Sequence, residues 1–218
     1  MQHSKINVLV VAAHPDDEVL GCGGTLAKHA ANGDDVFVLI LGDGVTSRPI
    51  LESEVDEQTM GRRNKARQAA KTLGIRAPEF HSYPDNRMDS VDLLDIVKHI
   101  EAMIHRVMPE IVYTHHASDV NIDHRVVHDA VITAVRPQPG HCVKKLLFFE
   151  VLSSTEWRPG KSMATFSPDY FVDISESVEH KLQAVSCYED EMREFPHPRS
   201  LEACLHLLKW RGATVGVQ

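Results

Sequence analysis

The chain has 218 residues, of which 43% are hydrophobic and 25% are charged, a composition typical of a soluble globular protein with a sizeable core. It carries 31 acidic against 23 basic residues, a formal net charge of −8, and with no basic block this argues against nucleic acid as the main partner. No apolar run approaches the ~20 residues that span a bilayer. The N-terminal stretch has no signal-peptide pattern, so we expect a cytoplasmic location.

Apolar and amphipathic segments alternate along the chain and predict strands and helices in turn. This alternation indicates one domain over residues 1–218, an α/β fold with three layers and a mostly parallel sheet. The strands are predicted at 6–13, 35–44, 79–83, 109–115, 144–152 and 170–175, and the helices at about 17–31, 56–74, 91–107 and 122–135, followed by further C-terminal helices.

Four scattered cysteines form no CxxC pair, so we expect reduced and mostly buried thiols at Cys22, Cys142, Cys187 and Cys204. Histidine is unusually frequent, with 14 residues, which makes metal or proton chemistry worth a search. In a parallel sheet of this kind, ligands bind beyond the carboxyl ends of the strands. That rule places His14, Asp43, Asp85 and the range His115–His124 on one rim.

The stretch "VVAAHPDDEVLGCGG" (10–24) places a histidine and three acids where a strand ends and a helix begins. A dinucleotide site would need glycines directly after the strand, whereas the glycines of this stretch arrive inside the helix. Helix capping by Asp16, with Asp17 and Glu18 at the positive end of the helix dipole, explains the acids. Capping leaves His14, held in a tight turn by the next proline, without an explanation.

A metal site accounts for the histidine as well. His14 and Asp17 flank one turn, and imidazole nitrogen and carboxylate oxygen both bind Zn²⁺. A catalytic zinc usually has three protein ligands, so the third is expected from "THHASDVNIDHRVVHDAV" (114–131) on the same rim. Of the candidates there, His124 opens a helix after a polar loop. The candidates are His115, His116, Asp119, Asp123, His124 and His128.

The block "AHPDDE" with a downstream "DH" at a helix start resembles the LmbE-like (PIG-L) family of zinc-dependent N-deacetylases. The resemblance extends through "LGDGVTSR", "RRNKARQAAKTLG", "YPDNRMD", "NIDHRVVHDAVITAVRP" and "KLQAVSCYEDEMREFPHPRS". It implies a Rossmann-like fold, an N-acetylated amino sugar as substrate, and zinc as cofactor, with iron or another divalent metal as a substitute. By resemblance, the metal ligands are His14, Asp17 and His124, the general base is Asp16, and the residues near the sugar are Arg62 and Asp85.

The chain departs from the family at position 121, where many members carry a histidine and this sequence has Asn121. An amide donates a hydrogen bond to an oxyanion but delivers no proton at neutral pH, and Asn121 is equally well explained as a helix N-cap. The leaving amine is expected to take its proton from Asp16, once that is protonated, or from a nearby histidine. The imidazole nearest in sequence to His124 is His128, one turn further on, and it is the histidine predicted for this role. Relatives usually continue beyond "WRGATVGVQ", so a further C-terminal segment is expected.

The function expected from the sequence is hydrolysis of an N-acetyl group on an amino sugar or glycoconjugate. The alternatives are hydrolysis of another amide or of an ester, and a non-catalytic module that binds a sugar or nucleotide. A basic rim or a second metal would favour a phosphate substrate, and the predicted rim is acidic. The charged stretch 188–200 is interpreted as a solvated helix end, and a homo-oligomer is left open.

Overall fold

The computed structural model describes residues 4–158 and 165–217. Its centre is a five-stranded sheet in the order β3-β2-β1-β4-β5, in which every pairing is parallel. The chain therefore has the three-layer, Rossmann-like α/β fold that the alternation of elements predicts. The strands are β1 (Asn7–Ala12), β2 (Asp35–Gly42), β3 (Glu79–Tyr83), β4 (Ile111–His115) and β5 (Lys145–Phe149).

Helices cover both faces of the sheet. Alternate residues of β1 point to opposite faces, Val8 and Val10 into one hydrophobic cluster and Leu9 and Val11 into the other, which is why this strand is a continuous apolar run. Helices α1, α2 and α5 pack together on the first face, and α3 packs against α4 on the second. The helices are α1 (Asp17–Ala31), α2 (Val55–Leu73), α3 (Leu93–Val107), α4 (Ile122–Ala134), α5 (Val178–Ser186) and α6 (Leu201–Ala213).

Five of the six predicted strands are confirmed, with ends that differ by a few residues, but the strand predicted at 170–175 is wrong. That segment has no regular secondary structure before a turn begins at Ser175, because it lies against α1. Lys28 Nζ donates to the carbonyl of Asp173 at 2.6 Å, and a side chain added at Gly24 would meet Ile174 Cδ1 at 2.5 Å. Its alternating apolar residues pack on a helix rather than extend the sheet.

The strand order positions the site. Strand β1 lies between β2 and β4, so the connections from β1 and β4 leave the carboxyl edge of the sheet side by side, the arrangement at which ligands bind in open α/β folds. The end of β2 approaches closely as well: a Cβ at Gly42 would lie 2.9 Å from Ala13 O and 3.1 Å from His14 Cδ2. Only glycine allows this approach.

All four cysteines are free. Cys22 and Cys204 are buried, and Cys142 and Cys187 are half-buried. In the described part of the chain, no helix combines the length and the apolar character needed to cross a bilayer.

Candidate functional site

Three buried side chains converge beyond the carboxyl ends of β1 and β4. His14 follows β1, Asp17 begins α1, and His124 lies in the first turn of α4. Each offers a ligand atom, and the three atoms lie within 4.8 Å of one another. Asp17 Oδ2 is 3.3 Å from both His14 Nδ1 and His124 Nε2. Two nitrogens and one oxygen therefore face a common point, as a divalent metal requires.

The hydrogen-bonding pattern of this cluster fits a bound cation. Asp17 Oδ1 and His124 Nε2 are buried, and neither makes a hydrogen bond with any described residue, a state that costs free energy unless another partner is bound. Burial by itself lowers the pKa of His124, but the charge of Asp17 and a hydrogen bond to Asp119 raise it to about 9. The cluster thus attracts positive charge, which a divalent metal supplies in place of protons.

A carboxylate lies behind each of the two imidazoles. Asp119 Oδ2 is 3.1 Å from His124 Nδ1, and Asp123 Oδ2 is 2.9 Å from His14 Nε2. Both acids were candidate ligands in the sequence, but these contacts are of the kind that orients a metal-binding histidine. Asp85 Oδ1 also approaches His14 Nε2, at 3.1 Å, and this contact contributes to an Asp85 pKa of about 2, against the opposing effect of burial.

The neighbouring histidines have other partners. His115 stacks on His124 with ring centroids 4.0 Å apart, but its Nε2 accepts the backbone N–H of Ala13 at 2.9 Å. A nitrogen that accepts a hydrogen bond has no lone pair left for a metal. The His116 ring packs edge-on against Phe166.

Asp16 stands beside the cluster in a strained conformation. Its φ is 126°, outside the regions that a residue with a Cβ normally adopts, and such outliers concentrate at functional sites. It occupies the N-cap position of α1 without a capping side-chain hydrogen bond, so the alternative explanation, that the Asp16 side chain caps this helix, is wrong. Burial raises the pKa of Asp16, against the opposing charges of Arg199 and Arg62, whose nitrogens lie 3.1 Å and 3.6 Å from Oδ2.

A cavity of about 100 Å³ opens beside Asp16 and His14. Arginines line it together with acids, so the rim predicted as acidic also carries basic side chains. Arg62 Nη1 pairs with Glu191 at 2.5 Å, and Arg48 pairs with the same carboxylate at 2.6 Å. The residues that border the cavity are His14, Asp16, Gly44, Ser47, Arg48, Arg62, Asp85, Asn86, Asn121, Glu191 and Arg199.

Three further candidate residues, Asn121, His128 and Asp43, lie in different surroundings. Asn121 borders the cavity and also caps α4, since its side chain accepts the backbone N–H of Asp123 at 2.8 Å. His128 is not brought to the cluster: its Nδ1 bonds to the carbonyl of His115 at 2.9 Å, and its ring packs on Phe148. Asp43 accepts hydrogen bonds from Val45 and Thr46, so it shapes the turn after β2.

The interpretation of 188–200 as a solvated helix end is wrong. Tyr188, Glu191 and Ser200 are buried, and Arg199 reaches the Asp16 carboxylate. Only a short helical turn, Glu189–Glu191, forms here. The prolines on either side of His197 are the one signal in the sequence that argues against a helix and for a fixed loop.

A larger cavity, of about 1020 Å³, lies between α1, β5 and α6. Its lining is mainly apolar and includes Leu20, Phe148, Phe171 and Leu208. Of the candidate ligands only His116 borders it, and none of the three converging side chains does. Size alone would favour this cavity. The convergence of metal-binding groups favours the smaller one.

Curated proteins resemble the chain over most of its length. The diacetylchitobiose deacetylase of Thermococcus kodakarensis is 28% identical over 195 residues, 86% of this chain and 70% of that protein. A probable N-acetyl-alpha-D-glucosaminyl L-malate deacetylase of Bacillus cereus is 26% identical over 94% of this chain and 93% of its own length. The 4-oxalmesaconate hydratase of Pseudomonas putida is 29% identical over 83% of this chain and 72% of that protein.

A solved structure supports the fold, and a family model shows the family. The conserved protein TT1542 of Thermus thermophilus has a TM-score of 0.74 and 26% identity, covering 97% of this chain and 90% of that one. The family model described as GlcNAc-PI de-N-acetylase, PIG-L, matches residues 9–135. That match spans more than half of the 218 residues and contains His14, Asp17 and His124, and the chain belongs to the PIG-L family.

Proposed function

We propose that the protein is a zinc-dependent hydrolase that removes the N-acetyl group from an N-acetylated amino sugar or glycoconjugate. The observation that carries the proposal is the convergence of His14, Asp17 and His124 beside the strained carboxylate of Asp16. Relatives named as deacetylases of diacetylchitobiose and of an N-acetylglucosaminyl malate support the same reaction.

His14, Asp17 and His124 would hold the metal. Two imidazoles and one carboxylate suit zinc and also Fe²⁺. When bound, the metal would polarise the amide carbonyl and lower the pKa of a water toward ~7. Asp119 and Asp123 keep the two imidazoles in the orientation that this binding requires.

Asp16 is the proposed general base. It is buried and borders the cavity, and its neighbours Arg199 and Arg62 stabilise its charged form. It therefore accepts the proton of the attacking water, a role typically worth ~10²–10⁴ in rate. Arg62 and Asp85 offer hydrogen-bond donors and acceptors to the sugar hydroxyls from the same cavity wall.

The leaving amine needs a proton once the carbon–nitrogen bond breaks. Protonated Asp16 is the group in place to return it, because it borders the cavity. Asn121 can donate a hydrogen bond to the developing oxyanion but no proton. His128 bonds to the carbonyl of His115 and does not border this cavity. We therefore assign the role of proton donor to Asp16.

Acetate release from a panel of N-acetylated amino sugars tests the function, with chelated protein as the control. Asp16→Asn should keep stoichiometric zinc and lose activity by roughly 10²–10⁴, whereas Asp17→Asn should lose zinc. The opposite pattern would mean that the two adjacent carboxylates have exchanged roles. A zinc-loaded protein that releases no acetate from any member of the panel would refute the deacetylase.

The hydratase among the relatives favours one competing activity, addition of water to an unsaturated acid. That reaction releases no acetate and changes the ultraviolet absorbance of a conjugated substrate, so the two assays separate the activities. A non-catalytic sugar or nucleotide module would need no tightly bound metal, and elemental analysis of purified protein excludes it if zinc is present.

We also propose that the chain acts as one domain, because the cavity takes residues both from the N-terminal region and from Glu191 and Arg199. The cytoplasmic location and the homo-oligomer stay predictions from the sequence alone.

A further inference from the structure

The peptide group between Pro15 and Asp16 is held at both ends. Its carbonyl, on Pro15, accepts a hydrogen bond from Arg62 Nη2 at 2.7 Å. Its N–H, on Asp16, donates to Glu18 Oε2 at 3.1 Å. Fixing both ends of a planar peptide group fixes the dihedral angles on either side of it, including the unfavourable φ of Asp16.

Glu18 and Arg62, which hold this peptide group, each have a second partner in one distant segment of the chain. Glu18 Oε1 accepts the hydroxyl of Tyr188 at 2.6 Å, across 170 residues of sequence. Arg62 Nη1 pairs with Glu191 at 2.5 Å. Tyr188 directly precedes the short turn after α5 and Glu191 ends it, and both are buried. They lie outside residues 9–135, the part of the chain that matches the family model.

The conformation of Asp16 needs such support. A φ of 126° is sterically unfavourable for a residue with a Cβ and persists only where the surroundings impose it. The helix supplies no side-chain cap at this position. Without the two contacts, Asp16 would relax toward an ordinary conformation, and its carboxylate would turn away from the cavity.

We infer that Tyr188 and Glu191 are positioning residues, which act through Glu18 and Arg62 to lock the Pro15–Asp16 peptide and so aim the Asp16 carboxylate. The inference rests on the proposed role of Asp16 as the base. It gives the segment after α5 the role of positioning the base, which the metal ligands do not perform.

The test compares Tyr188→Phe with Tyr170→Phe, a matched removal of a hydroxyl from an exposed tyrosine. Misplacing a reacting group by about 1 Å costs on the order of 10²-fold in rate. Tyr188→Phe should therefore lower kcat roughly 10- to 100-fold with stoichiometric zinc. Because positioning acts on the chemical step, KM should stay within about twofold.

A double-mutant cycle identifies the path of the effect. If Tyr188 acts through Glu18, combining Tyr188→Phe with Glu18→Gln should lower kcat little more than the stronger single change does. Glu191→Gln tests the carbonyl end of the peptide group, which Arg62 holds. This variant replaces Tyr188→Phe in the test if Tyr188→Phe folds poorly. Additive losses, or a Tyr188→Phe enzyme as active as Tyr170→Phe, would overturn the inference.

A crystal structure of Tyr188→Phe decides the question independently of activity. Asp16 should leave its left-handed conformation, and retention of φ near 126° with an unmoved carboxylate would refute the positioning role. If the wild-type protein releases no acetate, the deacetylase proposal fails, while this structural comparison still tests the lock on the peptide.

Discussion

Replacing Asp119 by asparagine should weaken metal binding without removing a ligand. Asp119 Oδ1 accepts the backbone N–H of Asn121 at 2.8 Å and the hydroxyl of Ser154. Its Oδ2 accepts the hydroxyl of Thr155 at 2.8 Å and faces His124 Nδ1 at 3.1 Å. The backbone N–H cannot become an acceptor, so the NH₂ of Asp119→Asn must take the Oδ2 position.

In that position the amide donates toward His124 Nδ1, which must then accept. The imidazole hydrogen moves to Nε2, the nitrogen that faces Asp17 and the proposed metal. Loss of such a supporting partner typically costs ~10–100-fold in metal affinity, equivalent to about 1.4–2.7 kcal/mol.

The assay is thermal unfolding with and without zinc. Zinc at 100 times the wild-type Kd stabilises the protein by about 2.7 kcal/mol. A 10- to 100-fold weaker site leaves about 0.4–1.4 kcal/mol. At roughly 2–4 °C per kcal/mol for a chain of this size, the zinc-induced rise in Tm should fall by several degrees.

Asp129→Asn is the matched control, because Asp129 is an exposed aspartate of α4, the helix that carries His124. The comparison uses the shift on adding zinc rather than Tm itself, so any loss of stability in the metal-free protein cancels. An Asp119→Asn protein that binds zinc with wild-type affinity would refute the argument from the imidazole hydrogen.

Three further predictions concern the ligands, the residues near them and a buried lysine. His14→Ala and His124→Ala should each lose most bound zinc by elemental analysis, and full retention in both would exclude the proposed site. The sequence predicts that His128→Ala lowers kcat more than about tenfold. The contacts of His128 in the structure favour instead a lower Tm with a smaller change in kcat. Asn121→Ala should lower the free energy of unfolding by about 1 kcal/mol, because the helix loses its cap. Burial lowers the pKa of Lys181. Between this pKa and the ordinary ~10.4, the unfolded chain binds more protons than the folded protein does. The free energy of unfolding therefore rises with pH over this range. Denaturant titrations at several pH values should show a smaller rise for Lys181→Met, and an identical pH dependence would show that Lys181 titrates normally.

Sequence patterns predicted the rim well because parallel strands place their carboxyl ends together. His14, Asp17 and His124 follow or open elements whose order is readable from hydrophobic periodicity. Helical spacing was less reliable for His128. One turn beyond His124, it meets the carbonyl of His115 and the ring of Phe148 instead of the cavity.

Long-range contacts could not be predicted from these patterns. Tyr188 and Arg199 lie in a charged stretch whose composition is that of a solvated surface, and their partners, Glu18 and Asp16, are 170 and 183 residues away. The strained φ of Asp16 is equally hidden, because aspartate is an ordinary N-cap residue and the sequence contains no sign of the two contacts on its peptide group.

The place of β1 between β2 and β4 has a consequence for folding. Strands β1 and β2 are joined by a single helix, but β1 meets β4 only after a long intervening chain has closed, and non-local pairings of this kind form slowly. His14 and Asp123, neighbours in the site, are 109 residues apart in sequence. The three proposed metal ligands therefore come together only when this central pairing forms. During refolding, the appearance of tight metal binding would report the moment at which the two halves of the sheet join.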